Sequence, residues 1–389
     1  MVASNQQCDA RVSCRRFANW LGLIYAAVVL NRPNLQEVEM KFGLFQSVQL
    51  PEPGSQAKYY KEALEQVRLA EQLGFDSVWF TEHHFSRHGI VPASMTVLAY
   101  LAGVTSTIRL ATAVAVLPFH NPIQLAEEAA TVDLLSDGRL DLGVGRGYQW
   151  GEFHKFNIPM DEATRRFDEA MEVITRAWTA TEPFDHRGEF WSFNDMTLHP
   201  KPVQTPHPPL WVAASSPTSM DRVARHNWNL LIGQGESFQQ VATQVEYFRA
   251  ALEKAGFTYS PRRVIAARAM YTARSQEQAR QDTEAPFMWF KRTGQEVGSP
   301  PDHRVELLPE DFKEYRRRFA RGVYANYDVM WENVAIFGTP EVVAERIEGL
   351  RQSGIENLIF FINYGGIENR KVLDSLELFA TKVMPLFKD

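Results

Sequence analysis

The stretch WFTEHHF at residues 79–85 sets Glu82, His83 and His84 side by side among Trp79, Phe80 and Phe85. An imidazole with a reference pKa of about 6.5 exchanges protons at neutral pH, so a histidine at the end of an apolar run is a candidate acid or base. Two other places carry groups of a different kind. Arg146 follows RLDLGVG at 139–145, and Ser215 and Thr218 lie at and just past the end of PLWVAAS at 209–215. A guanidinium and two hydroxyls near a helix start all donate hydrogen bonds, which suits the oxygens of a phosphate. Each set also has a plainer reading. The histidines can be a hydrogen-bonded structural pair, and Ser215 and Thr218 can cap the helix that begins near Pro217. A zinc site is not indicated, because HExxH is absent and no second cluster supplies further ligands. GVGRG at 143–147 lacks the glycine spacing of a dinucleotide fingerprint or a P-loop.

These groups work together only if the fold converges them. From Met40 onward, short apolar runs alternate with amphipathic stretches. Strands are predicted at 41–48, 76–80, 108–117, 139–145, 209–215, 228–232, 263–271 and 357–362. Between them lie helical patterns with apolar residues at three- and four-residue spacing, such as TRRFDEAMEVITRAW. Thr339 followed by Pro340 reads as an N-cap and first-turn proline. Eight alternating units predict an α/β fold, a closed (β/α)8 TIM barrel. A doubly wound open sheet is the alternative, and no GxGxxG turn follows the first strand to support it. In such a barrel the reactive side chains sit where strands run out into their loops. That rule places Glu82, His83 and His84 after the second strand, Arg146 after the fourth, and Ser215 and Thr218 after the fifth, all at one mouth.

Two connections exceed ordinary loop length. Residues 182–208 form an excursion in the insertion after strand 4. Residues 273–337 form an insertion after strand 7, expected to cap the mouth as a lid; packing on the outside is the alternative. Composition agrees with a soluble globular protein: 389 residues, 45% hydrophobic and 23% charged. The net charge of -6 offers no basic footprint for nucleic acid. Cys8 and Cys14 are the only cysteines, so the rest of the chain has no disulfide framework, and a cytoplasmic location is expected. FANWLGLIYAAVVL at 17–30 is short for a membrane span, and no membrane association is expected. Residues 1–39 are read as an extension outside the fold, with Met40 as the expected start. A disposable helix or a targeting segment are the alternatives.

Several stretches in order, GFDSVWFTEHHF, ATAVAVLPFHNP, LLSDGRLDLGVGRG, FGTPEVVAERI and the closing VMPLFKD, resemble the bacterial luciferase family of flavin-dependent monooxygenases. The resemblance covers the chain from about Met40 to its C-terminus. It implies that Arg146, Arg165, Ser215 and Thr218 hold the phosphate of FMN. It implies a cis peptide between Ala113 and Val114 beneath the flavin ring, and His83 at the flavin's reactive edge with His84 as its neighbour. The implied chemistry uses reduced FMN from a separate flavin reductase, with O2 forming a C4a-peroxide that attacks an aldehyde or other small organic substrate. A dimer is expected on the same ground. Two positions depart from the light-emitting α subunit: Gly145 stands where that chain has a reactive cysteine, and Ala214 where it has a glutamate. Light emission is therefore not expected. Two other functions remain open on the sequence, a coenzyme F420-dependent oxidoreductase and a non-catalytic flavin-binding partner subunit.

Overall fold

The computed structural model describes residues 39–298, 300, 308–310, 312, 313 and 326–388. The expected extension at 1–39, apart from Glu39, and part of the expected lid lie outside the described residues. In chain order the barrel half that carries the histidines comprises β1 (Lys41–Gln46), α1 (Gln56–Gln72), β2 (Ser77–Phe80), α2 (Ser94–Ala102), β3 (Arg109–Thr112), β4 (Ala115–Val116) and α3 (Pro122–Leu135). It continues with β5 (Leu140–Gly145), α4 (Trp150–Phe156), α5 (Ala163–Thr179), β6 (Phe184–Arg187), β7 (Ser192–Met196), β8 (Leu210–Ala213) and α6 (Pro217–Arg225). The remainder is β9 (Asn229–Ile232), α7 (Phe238–Lys254), β10 (Val264–Thr272), α8 (Gln276–Gly298), α9 (Tyr327–Asn333), β11 (Ile336–Gly338), α10 (Pro340–Gln352), β12 (Asn357–Phe361) and α11 (Asn369–Lys382).

Parallel pairing runs from β1 through β2, β3, β5, β8, β9, β10 and β12 and returns to β1, so eight strands close a TIM barrel. Each apolar run predicted as a strand supplies one of them. The run at 108–117 differs in one respect. It is two strands, because the Ala113–Val114 peptide bond is cis and turns the chain between β3 and β4. The short β4 then pairs with β5.

Packing inside the barrel explains the glycine in the middle of β5. A Cβ on Gly143 would lie 1.9 Å from the carbonyl oxygen of Thr112, so only glycine lets β3 approach. The neighbouring layer is filled by Trp79 and Trp211, whose rings meet edge to face at 5.8 Å.

The excursion at 182–208 contains the antiparallel hairpin β6–β7. Glu169 on α5 anchors it by accepting hydrogen bonds from the backbone N–H groups of Phe190 and Trp191, each at 2.9 Å. The long connection after β10 contains α8, α9 and β11. From α8, Phe290 stacks on His88 at 4.9 Å and meets Phe361 at the end of β12, also at 4.9 Å. This helix therefore packs beside the mouth.

Candidate functional site

The loop after β2 is held by main-chain bonds: Thr81 N–H donates to Gln46 O at 3.0 Å and His83 N–H to Val91 O at 3.0 Å. Within it, Glu82 is 2% exposed. A carboxylate that deep is costly unless its lone pairs are filled, and here they are. Oε1 accepts from His84 Nε2 at 2.9 Å, while Oε2 accepts from His120 Nε2 at 2.8 Å and from Val116 N–H at 3.2 Å. Burial by itself would raise the Glu82 pKa, but the hydrogen bonds from His120 and His84 outweigh it and hold the carboxyl below its ordinary value. Burial likewise opposes the charge on His120, yet the Glu82 hydrogen bond and charge, with Glu128, raise its pKa.

The two adjacent histidines have separate surroundings. His84 donates Nε2–H to Glu82 and its ring sits edge-on to Phe156 at 4.8 Å and Phe119 at 5.9 Å. These contacts fix the position of its ring. His83 faces the other way. Its Nδ1 is 3.2 Å from Oε1 of Glu152, a buried residue of α4 that also accepts the His84 N–H at 2.9 Å. The Gln149 amide nitrogen lies 3.0 Å from the same Nδ1. A carboxylate calls for an N–H at Nδ1 and an amide nitrogen calls for a lone pair. The charged acceptor makes the stronger bond, so Nδ1–H is favoured and Nε2 is left as the basic atom. Beyond His83, the His88 ring is packed at 5.4 Å. Burial, followed by the charges of His83 and Lys291, pushes the His88 pKa well down, so it is neutral at neutral pH.

The cis bond lies next to this loop, since Ala113 N–H donates to Phe80 O at 2.7 Å. Val114 projects over Gly145 at the end of β5. A Cβ at Gly145 would be 2.6 Å from Val114 Cγ2. The departure at Gly145 thus has a steric counterpart in this chain: any larger residue would press on the Val114 side chain.

A second corner forms after β5 and β8, which are paired neighbours. Arg146 donates Nη1–H to the Thr164 hydroxyl at 3.2 Å, and its guanidinium covers the Phe312 ring at 4.4 Å. Thr164 and Arg165 belong to the first turn of α5. Arg165 is half exposed and pairs with Glu189 in the hairpin turn. Helix α6 is capped by Ser216 and Ser219 in a reciprocal capping box, so Ser215 and Thr218 are not its caps. Asp168 and Arg222 bridge α5 to α6 at 3.1 Å. One turn nearer the two N-termini on the same faces stand Arg165 and Thr218. Arg146, Arg165, Ser215 and Thr218 therefore border two adjacent helix starts, whose partial positive charge favours an anion.

A family model described as luciferase-like monooxygenase matches residues 40–357. The chain belongs to that family. Among its relatives, the oxygenase component of a flavin-dependent trigonelline monooxygenase from Acinetobacter baylyi is 30% identical over 356 residues, 90% of this chain and 96% of that one. An FMNH2-dependent dimethylsulfone monooxygenase from Pseudomonas putida is 27% identical over 339 residues, 85% of this chain and 84% of that one. The crystal structure of monooxygenase RslO1 from Streptomyces bottropensis superposes with a TM-score of 0.78 at 29% identity, covering 90% of this chain and 100% of that one.

As a luciferase-like monooxygenase the chain is a flavin-dependent oxidoreductase, and the loops after its second to fifth barrel strands are where the family resemblance put its site. Sequence reasoning singled out the histidines but not their partners Glu152, Gln149 and His120. Glu152 is 69 positions from His83, and no spacing rule links residues that distant. Thr164 was missed for a simpler reason, since a threonine opening a helix ordinarily reads as a capping residue. A cleft of about 340 Å³ between the loops after β1 and β12, lined by Pro51, Tyr59 and Asn369 among others, holds none of these side chains. Among the described residues no helix is long and apolar enough to cross a membrane.

Proposed function

We propose that the chain is the oxygenase of a two-component system, using reduced FMN and O2 to oxygenate an aldehyde or other small organic substrate. The observation that carries this reading is the pair of helix starts at α5 and α6, where the hydroxyls of Ser215 and Thr218 take no part in capping. Such a corner fits the phosphate of FMN, with Arg146 and Arg165 supplying positive charge. The cis segment Ala113–Val114, cleared by Gly145, offers an apolar seat for the flavin ring. Residues 40–389 would carry the activity on their own, with 1–39 as an extension.

When bound, reduced FMN supplies the two electrons that activate O2; one oxygen atom enters the substrate and the other leaves as water. This chain's residues do the rest. The arginines and hydroxyls bind and orient the cofactor. Phe290 and the barrel mouth around His83 exclude water. His83, with Nδ1–H turned to Glu152, gives and takes a proton at Nε2. His84 keeps the loop in place through Glu82. The name of the Acinetobacter relative, an oxygenase component, supports a separate flavin reductase as partner.

The test is anaerobic titration with reduced FMN and, in parallel, reduced coenzyme F420, followed by labelled O2 and candidate substrates. Tighter binding of FMN and one labelled oxygen atom in the product are expected. Tighter binding of F420 with hydride transfer and no use of O2 would replace this reading with that of an F420-dependent reductase.

A further inference from the structure

Among the described carboxylates at the mouth, Glu82 is the most heavily engaged, and its partners come from two different loops. His84 belongs to the loop after β2, the one that carries His83. Val116 and His120 belong to the segment after the cis bond, Val116 being two residues beyond Val114. The backbone N–H of Val116 is the first of these to be held, so the carboxylate grips the chain close to the cis segment. His120 adds a second grip four residues on.

We propose that Glu82 is a positioning residue that sets the proposed flavin seat against the His83 loop by holding both through one buried carboxylate. The inference rests on the FMN reading above and goes beyond it by assigning a role to a residue that touches neither cofactor nor substrate. The physical argument is that a buried carboxylate is held where its donors are. Moving either loop breaks a charge-assisted hydrogen bond without solvent to replace it. Oε1 and Oε2 are each used, so the carboxylate cannot follow one segment without losing its bond to the other. Charge balance supports the same view. The histidines His84 and His120 face the carboxylate from two sides, and Glu128 faces His120 from α3.

A second carboxylate makes the arrangement doubly determined. Glu152 holds the next two residues of the loop, through His84 N–H and His83 Nδ1. Glu82 therefore governs where the loop stands relative to the cis segment, and Glu152 governs how the His83 ring is turned.

The test uses the full chain, Glu82→Gln and His120→Gln, and two ligands. FMN carries ring and phosphate; riboflavin carries the ring alone. Circular dichroism in the visible band of the bound flavin reports the ring's surroundings, and far-ultraviolet dichroism reports the fold. Glu82→Gln should remain folded, bind FMN and riboflavin more weakly by the same factor, roughly tenfold, and alter the visible dichroism at saturation. His120→Gln should do the same to a smaller degree, and it keeps the test decisive if Glu82→Gln does not fold. Wild-type affinities and wild-type visible dichroism in His120→Gln and in any folded Glu82→Gln would overturn the proposal. A loss confined to FMN would also overturn it, since that would place the effect at the phosphate. If the wild-type chain itself binds neither flavin, the FMN reading falls, and this outcome is distinct from wild-type-like variants.

Discussion

The loop after β2 and the corner after β5 and β8 face the same mouth but are built on opposite principles. In the loop, the ionisable groups satisfy one another: Glu82 is filled by His84, His120 and Val116 N–H, and Glu152 is filled by His84 N–H and His83. At the corner, Ser216 and Ser219 perform the capping, which keeps the Ser215 and Thr218 hydroxyls out of the helix's own bonding. Arg165, paired with Glu189 at an exposed position, can exchange that partner at small cost, since surface ion pairs contribute little. On the proposed reading the difference separates two tasks. Proton transfer needs a base held in one orientation, whereas binding an anion needs donors still available to it.

Substitutions can break this division of labour, starting with the largest effect. His83→Ala should keep its fold and its flavin affinity while product yield falls by about two to four orders of magnitude, as expected for removal of a general base. Yield measured at saturating reduced FMN, together with a dichroism spectrum, checks it. His84→Ala should lose stability instead, because it leaves Glu82 Oε1 buried without its donor. An unchanged yield from His83→Ala would give His83 a structural role as well.

The corner is probed next. Arg146→Ala should weaken FMN by about ten- to a hundredfold, the scale of one charge-assisted hydrogen bond, and leave riboflavin nearly unchanged. Equal losses for the two ligands, measured by fluorescence titration, would remove the phosphate assignment. Gly145→Ala sharpens the contrast from the other side. Its Cβ would press on Val114 Cγ2 at 2.6 Å, so FMN and riboflavin should weaken together, by roughly three- to tenfold.

The smallest effect is one of pH. His120 is raised above its ordinary value in the folded chain by Glu82 and Glu128, against the opposing pull of burial. Its protonated form thus adds stability that is complete below about pH 6.5 and is lost as pH rises through the higher folded value. Glu82, held low, works in the opposite sense: its contribution is present above about pH 4.5 and fades only below that. Between about pH 6 and pH 9 the thermal midpoint of the wild type should therefore fall by about 1–2 °C more than that of His120→Gln. Parallel curves would mean that His120 carries no charge in the fold.

Much of this molecule was legible in advance, and unevenly. The strand runs were plain because an all-parallel barrel buries its strands on both faces, leaving near-continuous apolar segments such as IRLATAVAVL and NLIFFI. Even there, periodicity read 108–117 as one strand and had no means of marking the turn at Ala113–Val114; that bond came from family resemblance. The hairpin β6–β7 was visible only as a loop too long to be simple, since β6 (FDHR) is only four residues long and β7 (SFNDM) is mostly polar with no regular alternation. At the site, position in the barrel was enough to bring His83, Arg146 and Ser215 to one mouth. It was not enough to separate His83 from His84, nor to say whether Ser215 or Ser216 would cap α6.

The amino-acid sequence by itself determined the alternation of strands and helices, the end of the barrel at which the candidate residues gather, and membership of the luciferase-like family. These follow from local periodicity and from residue order, which a linear chain carries in full. Only the tertiary structure decided that Glu82 serves two loops, that Glu152 rather than Glu82 meets His83, and that the Val114 side chain crowds position 145. Those choices depend on which side chains face each other across the closed barrel. Such facing is set by the packing of residues 30 or more positions apart, about which neither spacing nor composition carries information.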